Sequence, residues 1–390
     1  MNLAVIDAHS YQREIIDKAI DDLFGQLGGI TNIVPQGKRV YLKVNLVRDM
    51  APDKCGTTHP EIVRAVASKL IKECNATVTV GDSSGGAYTK NYMSTVYRTC
   101  KMDWACEQSG AQLNMDFDYC RQDINGQRIK LLDITNSYNN ADVVINIGKL
   151  KSHSFTGYTG AVKNLFGLVP GLVKVEMHSR YPSIDQFVDC LIDIERFASA
   201  KILLHIIDAV MGMEGQGPTN GNPRFMGKII ASPNAYLADC AGVSLFDNPL
   251  SMPLLKRAVE RDIIPQDYTT MTDFDFDTLK SSYIADFDSV VVLPTTFLNM
   301  PRWMAKLLKN NLSPRVQPDH KICRGCNKCV THCPAKAMTL VNHKATVTQK
   351  KCIRCYCCQE LCPFNAIKMK KPIVYRVVRG LSHTKNKKDD

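Results

Sequence analysis

The chain contains no apolar run of bilayer length, so no membrane span is expected. It opens Met1-Asn-Leu-Ala-Val-Ile6, without the charged-then-apolar pattern of a secretory leader, and a cytoplasmic protein is expected. No basic stripe is interleaved with aromatics and no familiar nucleic-acid module is present, so the net charge of +11 does not point to nucleic acid. Neither a Gly-x-Gly-x-x-Gly turn nor a P-loop occurs. The nearest approach, Gly81-Asp82-Ser-Ser-Gly85-Gly86, is a weak nucleotide signal. What is present is an apolar fraction of 45% over 390 residues, enough for two or three domains with a real core. There are also sixteen cysteines, which without a leader argue for a reducing compartment.

Eight of those cysteines form two near-identical runs. The first is Cys323-x-x-Cys326-x-x-Cys329-x-x-x-Cys333-Pro334, the second Cys352-x-x-Cys355-x-x-Cys358-x-x-x-Cys362-Pro363. Each matches the bacterial ferredoxin pattern, in which three cysteines of a tight turn hold one [4Fe–4S] cluster and the fourth reaches the partner cluster. On that rule Cys323, Cys326, Cys329 and Cys362 hold one cluster, and Cys352, Cys355, Cys358 and Cys333 the other. Zinc knuckles lack this doubled register with proline after each fourth cysteine. Two exposed-type cubane clusters favour an anaerobic setting. Between the runs, Asn342-His343-Lys344 separates two β-rich stretches and reads as a hairpin. Cys357 lies beside a ligand and is expected to face away from the cluster as a small apolar filler.

The charge is uneven. From Lys321 onward sixteen Lys and Arg face three Asp and Glu, a net of +13, so the preceding residues sum to −2. Two oxidised clusters with their thiolates remove about four charges. The remaining basic rim favours an added electron and steers acidic partners, and an acidic ferredoxin or flavodoxin is the expected electron donor or acceptor.

The rest of the chain alternates β-rich runs with helical patterns. Strands are expected at 39–45, 76–80, 141–147, 202–207, 228–231 and 289–293, and helices at 60–74, 183–198, 235–245 and 250–261. This predicts an α/β fold, a mostly parallel sheet covered by helices, followed by a small α+β two-cluster ferredoxin-like domain. The expected divisions are an α/β body over 1–299, a helix and linker over 300–319, the cluster domain over 320–373 and a basic tail over 374–390. Ligands of such sheets gather at the carboxyl ends of strands.

There the residues turn polar. Val143, Ile145 and Ile147 share a strand face that continues as Lys149, Lys151 and His153, so a buried face becomes cationic where the strand ends. Such a cluster holds an anion. The glycine-rich stretch that follows carries Lys163 and Asn164 and leads to His178. Apolar neighbours would lower the Lys163 pKa and make it nucleophilic. Lys43 and Asn45 share parity at the end of their own strand. Thr58-His59-Pro60-Glu61 fits a capping box with Thr58 at the N-cap. Asp208 and Glu214 stand in or beside a glycine-rich loop after a strand, placed to neutralise the lysines, orient a histidine or bind metal.

The body resembles an uncharacterised iron–sulfur-centre family, domain of unknown function 362. The resemblance rests on Lys43-x-Asn45, Thr58-His59-Pro60, Gly81-Asp82, Lys149-Leu-Lys151-Ser-His153, Gly160-Ala-Val-Lys163-Asn164-Leu-Phe166-Gly167, His178, Asp208 and Glu214-Gly-x-Gly-Pro218. It implies a ferredoxin-like tail but no settled chemistry. The stretch from Ala141 to His178 is also similar, more faintly, to the lactate racemase family. That similarity implies a nickel-pincer nucleotide anchored at Lys163, nickel at His178 and acid/base work at His153. Gly81-Asp82-Ser83 stands where that family carries a second acid/base histidine. The expected function is an iron–sulfur oxidoreductase delivering low-potential electrons to a small anionic substrate or cofactor. Its catalytic candidates are His153, Lys163 and His178, and its binding candidates Lys43, Asn45, Lys149, Lys151, Asn164, Asp208 and Glu214. The alternatives are a nickel-pincer-like isomerase and a non-enzymatic electron carrier or cluster-delivery protein.

Overall fold

The computed structural model describes residues 1–289, 314–370 and 372. In the body, strands run in the order β1 (Ala4–Asp7), β2 (Arg39–Lys43), β3 (Thr77–Gly81), β4 (Gln112–Leu113), β5 (Tyr119–Asp123), β6 (Leu131–Thr135), β7 (Val143–His153), β8 (Gly157–Thr159), β9 (Ile202–Gln216) and β10 (Asn220–Ser232). The main sheet has the order β1-β10-β9-β7-β2-β3-β4, with β8 paired to β7. Strands β9, β7, β2, β3 and β4 are parallel, while β10 and β1 add an antiparallel edge. Strands β5 and β6 form a separate antiparallel ribbon. The α/β class expected from the alternation of elements is the one that forms.

Helices cover both faces. Val143, Ile145 and Ile147 enter one apolar layer with helices Arg13–Gln26 and Pro60–Cys74. Val144 and Leu150 enter the other, with helices Ile184–Ala198 and Ala235–Ser244. All eleven residues of β7 are buried, as a central parallel strand covered on both faces requires. The helix at 60–74 starts differently from the expected box. His59 is the N-cap, its ring accepting from the Glu61 amide at 3.3 Å, and Pro60 takes the first turn. Thr58 instead accepts from the Asn45 amide and donates to the Ile147 carbonyl, both at 2.9 Å, tying β2 to β7. Glu61 pairs with Arg64 at 2.6 Å.

Strands β9 and β10 are longer than expected. The stretch Gly212–Gln216, expected as a loop, continues β9 and pairs with β10 out to Asn220. The expected strand at 289–293, the helix from Met300 and the boundary placed at 299/300 lie, Ser289 apart, outside the described residues.

The second unit holds β11 (Arg315–Pro318), β12 (Met338–Val341), β13 (Lys344–Val347) and β14 (Ile367–Lys370), with short helices at Lys328–Thr331 and Cys357–Glu360. Strands β12 and β13 are joined by Asn342-His343, both at positive φ, the two-residue turn that matches strand twist. The cysteine repeat is also a backbone repeat. Gly325 and Arg354, Asn327 and Tyr356, and Lys336 and Asn365 are equivalent pairs, all with φ between 47° and 67°.

This unit packs on the body through directional contacts. Arg48 donates to the carbonyls of Cys362 at 2.6 Å and Pro363 at 3.2 Å. Gln359, fully buried, donates to the Gln216 carbonyl at 2.8 Å, and the Gln216 side chain accepts from the Met369 amide at 3.1 Å. Ser154 donates to Gln359 at 3.2 Å and Asn220 to the Ile367 carbonyl at 3.0 Å.

Candidate functional site

The eight cysteines of the two runs divide between two apolar cavities. Cys323, Cys326, Cys329 and Cys362 line one, of about 330 Å³, and Cys333, Cys352, Cys355 and Cys358 line the other, of about 320 Å³, both counting solvent at the mouth. This is the exchange of fourth cysteines that the spacing rule requires. Four thiols around an apolar cavity suit a cubane cluster. Among the described residues no three His, Cys, Asp or Glu side chains converge on a single-ion site. The two fourth cysteines are held alike: the Cys333 sulfur accepts from the Ala337 amide at 3.2 Å and the Cys362 sulfur from Ala366 at 3.3 Å. Amide bonds to cluster sulfurs are one lever on reduction potential.

A third cavity lies where the two units meet. It encloses about 680 Å³, counting solvent at its mouth. The body supplies Asn45, Asp82, Ser83, Lys151, Lys163, Asn164, Phe166, Lys174 and His178, and the cluster unit supplies Cys357, Glu360 and Leu361. Of the residues expected to act, Asn45, Lys151, Lys163, Asn164 and His178 therefore share one cavity. His153 sits behind its wall, with Nε2 3.3 Å from a Glu360 carboxylate oxygen.

The other expected residues lie elsewhere. Lys43 is buried against Asp82 at 2.7 Å, behind the lining. Lys149 bonds Asp208 at 2.9 Å and the Tyr11 hydroxyl at 2.8 Å; Tyr11 also bonds Asp208 at 2.7 Å and stacks on His59 at 3.5 Å. Lys149 and Lys151 keep the same parity along β7, but Lys149 is held by Tyr11 and Asp208 while Lys151 reaches Asn45 and the cavity. Glu214 accepts from the Asp288 amide at 3.1 Å and lies near Arg224.

The three cavity lysines differ. Lys174 spends its donors on the Ser83 carbonyl and hydroxyl and the Ser84 carbonyl, at 2.7–3.0 Å. Lys151 donates to Asn45 and to the Gly56 carbonyl. Burial, ahead of the neighbouring charges, brings both down to about 7. The Lys163 ammonium has no hydrogen bond or ion pair among the described residues, so it is the one of the three left to meet a ligand. Burial lowers its pKa, with Glu360 and then Cys357 opposing.

Burial would raise the Glu360 carboxyl, but His153, Lys163 and His178 outweigh it and hold it down to about 2. His153 is pushed to about 4 by burial and then by Lys163, and His178 to about 3 by burial. Both imidazoles are thus neutral at neutral pH. His178 stacks on Phe187 at 4.2 Å, and its Nδ1 is buried without a partner among the described residues. Lys163 sits in a short turn held from beneath by Asp239, which accepts from the amides of Ala161 at 2.5 Å and Val162 at 3.2 Å and from the Tyr158 hydroxyl at 2.8 Å. Gly160 is obligatory there, because a Cβ would collide with the Asp239 carboxylate.

Sequence reasoning missed Lys174, Glu360 and the role of Cys357. Glu360 did carry a signal, as the only acid between Lys321 and Lys388. Cys357 does turn away from the cluster cavity, but it lines the shared one rather than filling a core.

A helix-covered, mostly parallel sheet joined to a ferredoxin-like unit defines an iron–sulfur α/β protein. Residues 315–363 match the family described as a 4Fe-4S dicluster domain. Residues 40–244 match the domain of unknown function DUF362, and the chain belongs to that family. It is 30% identical over 262 residues to a thylakoid-associated protein of Synechocystis, spanning 65% of this chain and 77% of that one. It is 40% identical over 48 residues to one subunit of an ion-translocating oxidoreductase complex of Methanosarcina acetivorans, which is 12% of this chain and 18% of that protein. Among solved structures it is similar to the lactate racemase apoprotein of Thermoanaerobacterium thermosaccharolyticum, with TM-score 0.40 and 14% identity over 62% of this chain and 56% of that one. A Thermotoga maritima protein gives 0.34 and 8% over 60% and 58%. Among the described residues no helix is long and apolar enough to cross a membrane.

Proposed function

We propose that this chain is an iron–sulfur oxidoreductase of the anaerobic cytoplasm, which exchanges electrons with a small anionic substrate or cofactor in the shared cavity. Cys323, Cys326, Cys329 and Cys362 would hold one [4Fe–4S] cluster and Cys333, Cys352, Cys355 and Cys358 the second. When bound, these clusters supply one-electron transfer. The observation that carries the reading is the helix Cys357–Glu360. Within these few residues Cys358 lines a cluster cavity while Cys357 and Glu360 line the cavity shared with the body.

The chain's own groups divide the remaining work. Lys163 meets the anionic group, with the buried Lys151 and Lys174 adding positive field. Asn45 and Asn164 orient the ligand. Neutral His178 faces the cavity and His153 backs Glu360, so each can hold or pass a proton beside the ligand. The test is anaerobic purification with iron and sulfide analysis and EPR, followed by a screen of small carboxylates and phosphates for reoxidation of the reduced protein. The expected result is cubane signals, with reoxidation by one class of anion that Lys163→Ala abolishes. A protein without cubane clusters, or full turnover in that variant, would overturn the reading.

A second reading, a nickel-pincer-like isomerase, draws support from Lys163 and His178 lining one cavity. Intact mass showing an adduct at Lys163 together with bound nickel would establish it. A carrier without catalysis would leave this polar cavity without a purpose.

A further inference from the structure

The two cysteine cavities are not equivalent in their surroundings. The lining of the Cys333/Cys352/Cys355/Cys358 cavity includes no exposed residue, and its helix Cys357–Glu360 turns inward to the shared cavity. The lining of the Cys323/Cys326/Cys329/Cys362 cavity includes Arg324, Cys326, Asn327 and Phe364, all exposed. Exposed apolar side chains belong to this unit: Phe364, which lines the cavity with Cys326, is 43% exposed, Ile322, next to Cys323 in the chain, 37% and Val341 54%. The β12–β13 turn belongs to the same surface, since Gly325 packs on the His343 carbonyl and Lys344 donates to the Cys323 carbonyl at 2.8 Å. Exposed Lys321, Arg324 and Lys328 rim it. Over residues 314–370 eleven Lys and Arg face two acids, of which Glu360 points into the shared cavity and Asp319 bonds the Lys321 amide.

We propose that this face, apolar at Phe364 and rimmed by Lys321, Arg324 and Lys328, is the docking site of a one-electron carrier protein with an acidic rim. The proposal rests on the two-cluster reading above and gives it a direction. The cluster held by Cys323, Cys326, Cys329 and Cys362 would supply the one-electron acceptor for the reduced carrier, which would leave oxidised by one electron, and the cluster held by Cys333, Cys352, Cys355 and Cys358 would supply the link to the small anion in the shared cavity, the final acceptor. An apolar centre excludes water and a cationic rim orients an acidic partner, the arrangement that makes association fast and salt-dependent.

The test uses the full chain, anaerobically purified, with Lys321→Glu and Lys328→Glu combined, neither of which lines a cavity. The control is Lys350→Glu with Lys351→Glu, the same charge change on exposed residues beside the inner cluster's Cys352. The probe is a photoreduced acidic two-cluster ferredoxin in stopped flow. The first pair is expected to lose at least about tenfold in second-order rate at low salt and to show a flatter salt dependence; the control should change little. Dithionite should still reduce both variants to the wild-type EPR spin count. Equal losses in the two pairs, or a wild-type rate in the first, overturns the docking site. So does loss of binding to anionic phosphatidylglycerol vesicles with ferredoxin rates intact, which would make the face a lipid site. If dithionite elicits no cubane signal even from the wild type, it is the two-cluster reading that falls.

Discussion

Replacing Asp239 by alanine should loosen the Lys163 turn without touching the cavity lining. The carboxylate is fully buried and accepts three hydrogen bonds, from the amides of Ala161 and Val162 and from the Tyr158 hydroxyl. Alanine strands all three donors where water does not reach. Each stranded donor costs about 1–3 kcal/mol, so the variant should lose roughly 3–6 kcal/mol once the site relaxes. At about 2 °C per kcal/mol for a body of this size, the thermal midpoint should drop by roughly 6–12 °C. Asp239→Asn keeps the shape and one acceptor oxygen, but its amide must face one of the donors. It should fall between the wild type and alanine. Thermal unfolding by circular dichroism gives the midpoint, and EPR shows whether the cluster unit survives. Amine-directed labelling of Lys163 should quicken in the alanine variant as the turn loosens. An alanine variant that melts within about 1 °C of the wild type, with unchanged labelling, would refute the argument that Asp239 positions Lys163.

With fourth cysteines exchanged as proposed, Cys333→Ser with Cys355→Ser should leave one cluster intact, about four iron per chain, whereas Cys333→Ser with Cys326→Ser should damage both; iron analysis and EPR spin counts separate the two. Anion affinity should fall with rising pH. Lys151 and Lys174 sit at about 7, and the protonated ammonium is the binding form, so sulfate, whose charge is constant here, should bind about tenfold more weakly per participating lysine at pH 8 than at pH 6 by calorimetry. Arg48→Ala removes donors to the Cys362 and Pro363 carbonyls and should expose the seam between the units, read as faster amide hydrogen exchange at 359–366 with the body unchanged.

The order of elements was legible because β7 and its neighbours are near-continuous apolar runs and the helix 60–74 carries a clean apolar stripe. The grouping of eight cysteines around two cavities was legible because the two runs repeat one spacing. Other features depended on tertiary partners. The β9–β10 hairpin was hidden because Gly212, Gly215 and Gly217 look like loop residues, yet here they admit close packing: a Cβ at Gly212 would meet Met226, and one at Gly217 would meet the Ser152 carbonyl. Strict alternation placed Lys149 with Lys151, but their partners, Tyr11 and Asp208 for one and Asn45 and Gly56 for the other, come from distant parts of the chain. Glu360 could not be placed in the body's cavity from sequence, since nothing local says which way a four-residue helix will turn when two units meet.

A cavity walled partly by Cys357, Glu360 and Leu361 has no complete form until the second unit is seated. Covalent linkage makes that seating a first-order event, untouched by dilution, where a separate carrier would have to find the body at cellular concentrations. Severing the chain within 290–313 would restore that search. The fragments' joint output would then depend on how concentrated they are, whereas the intact chain's would not.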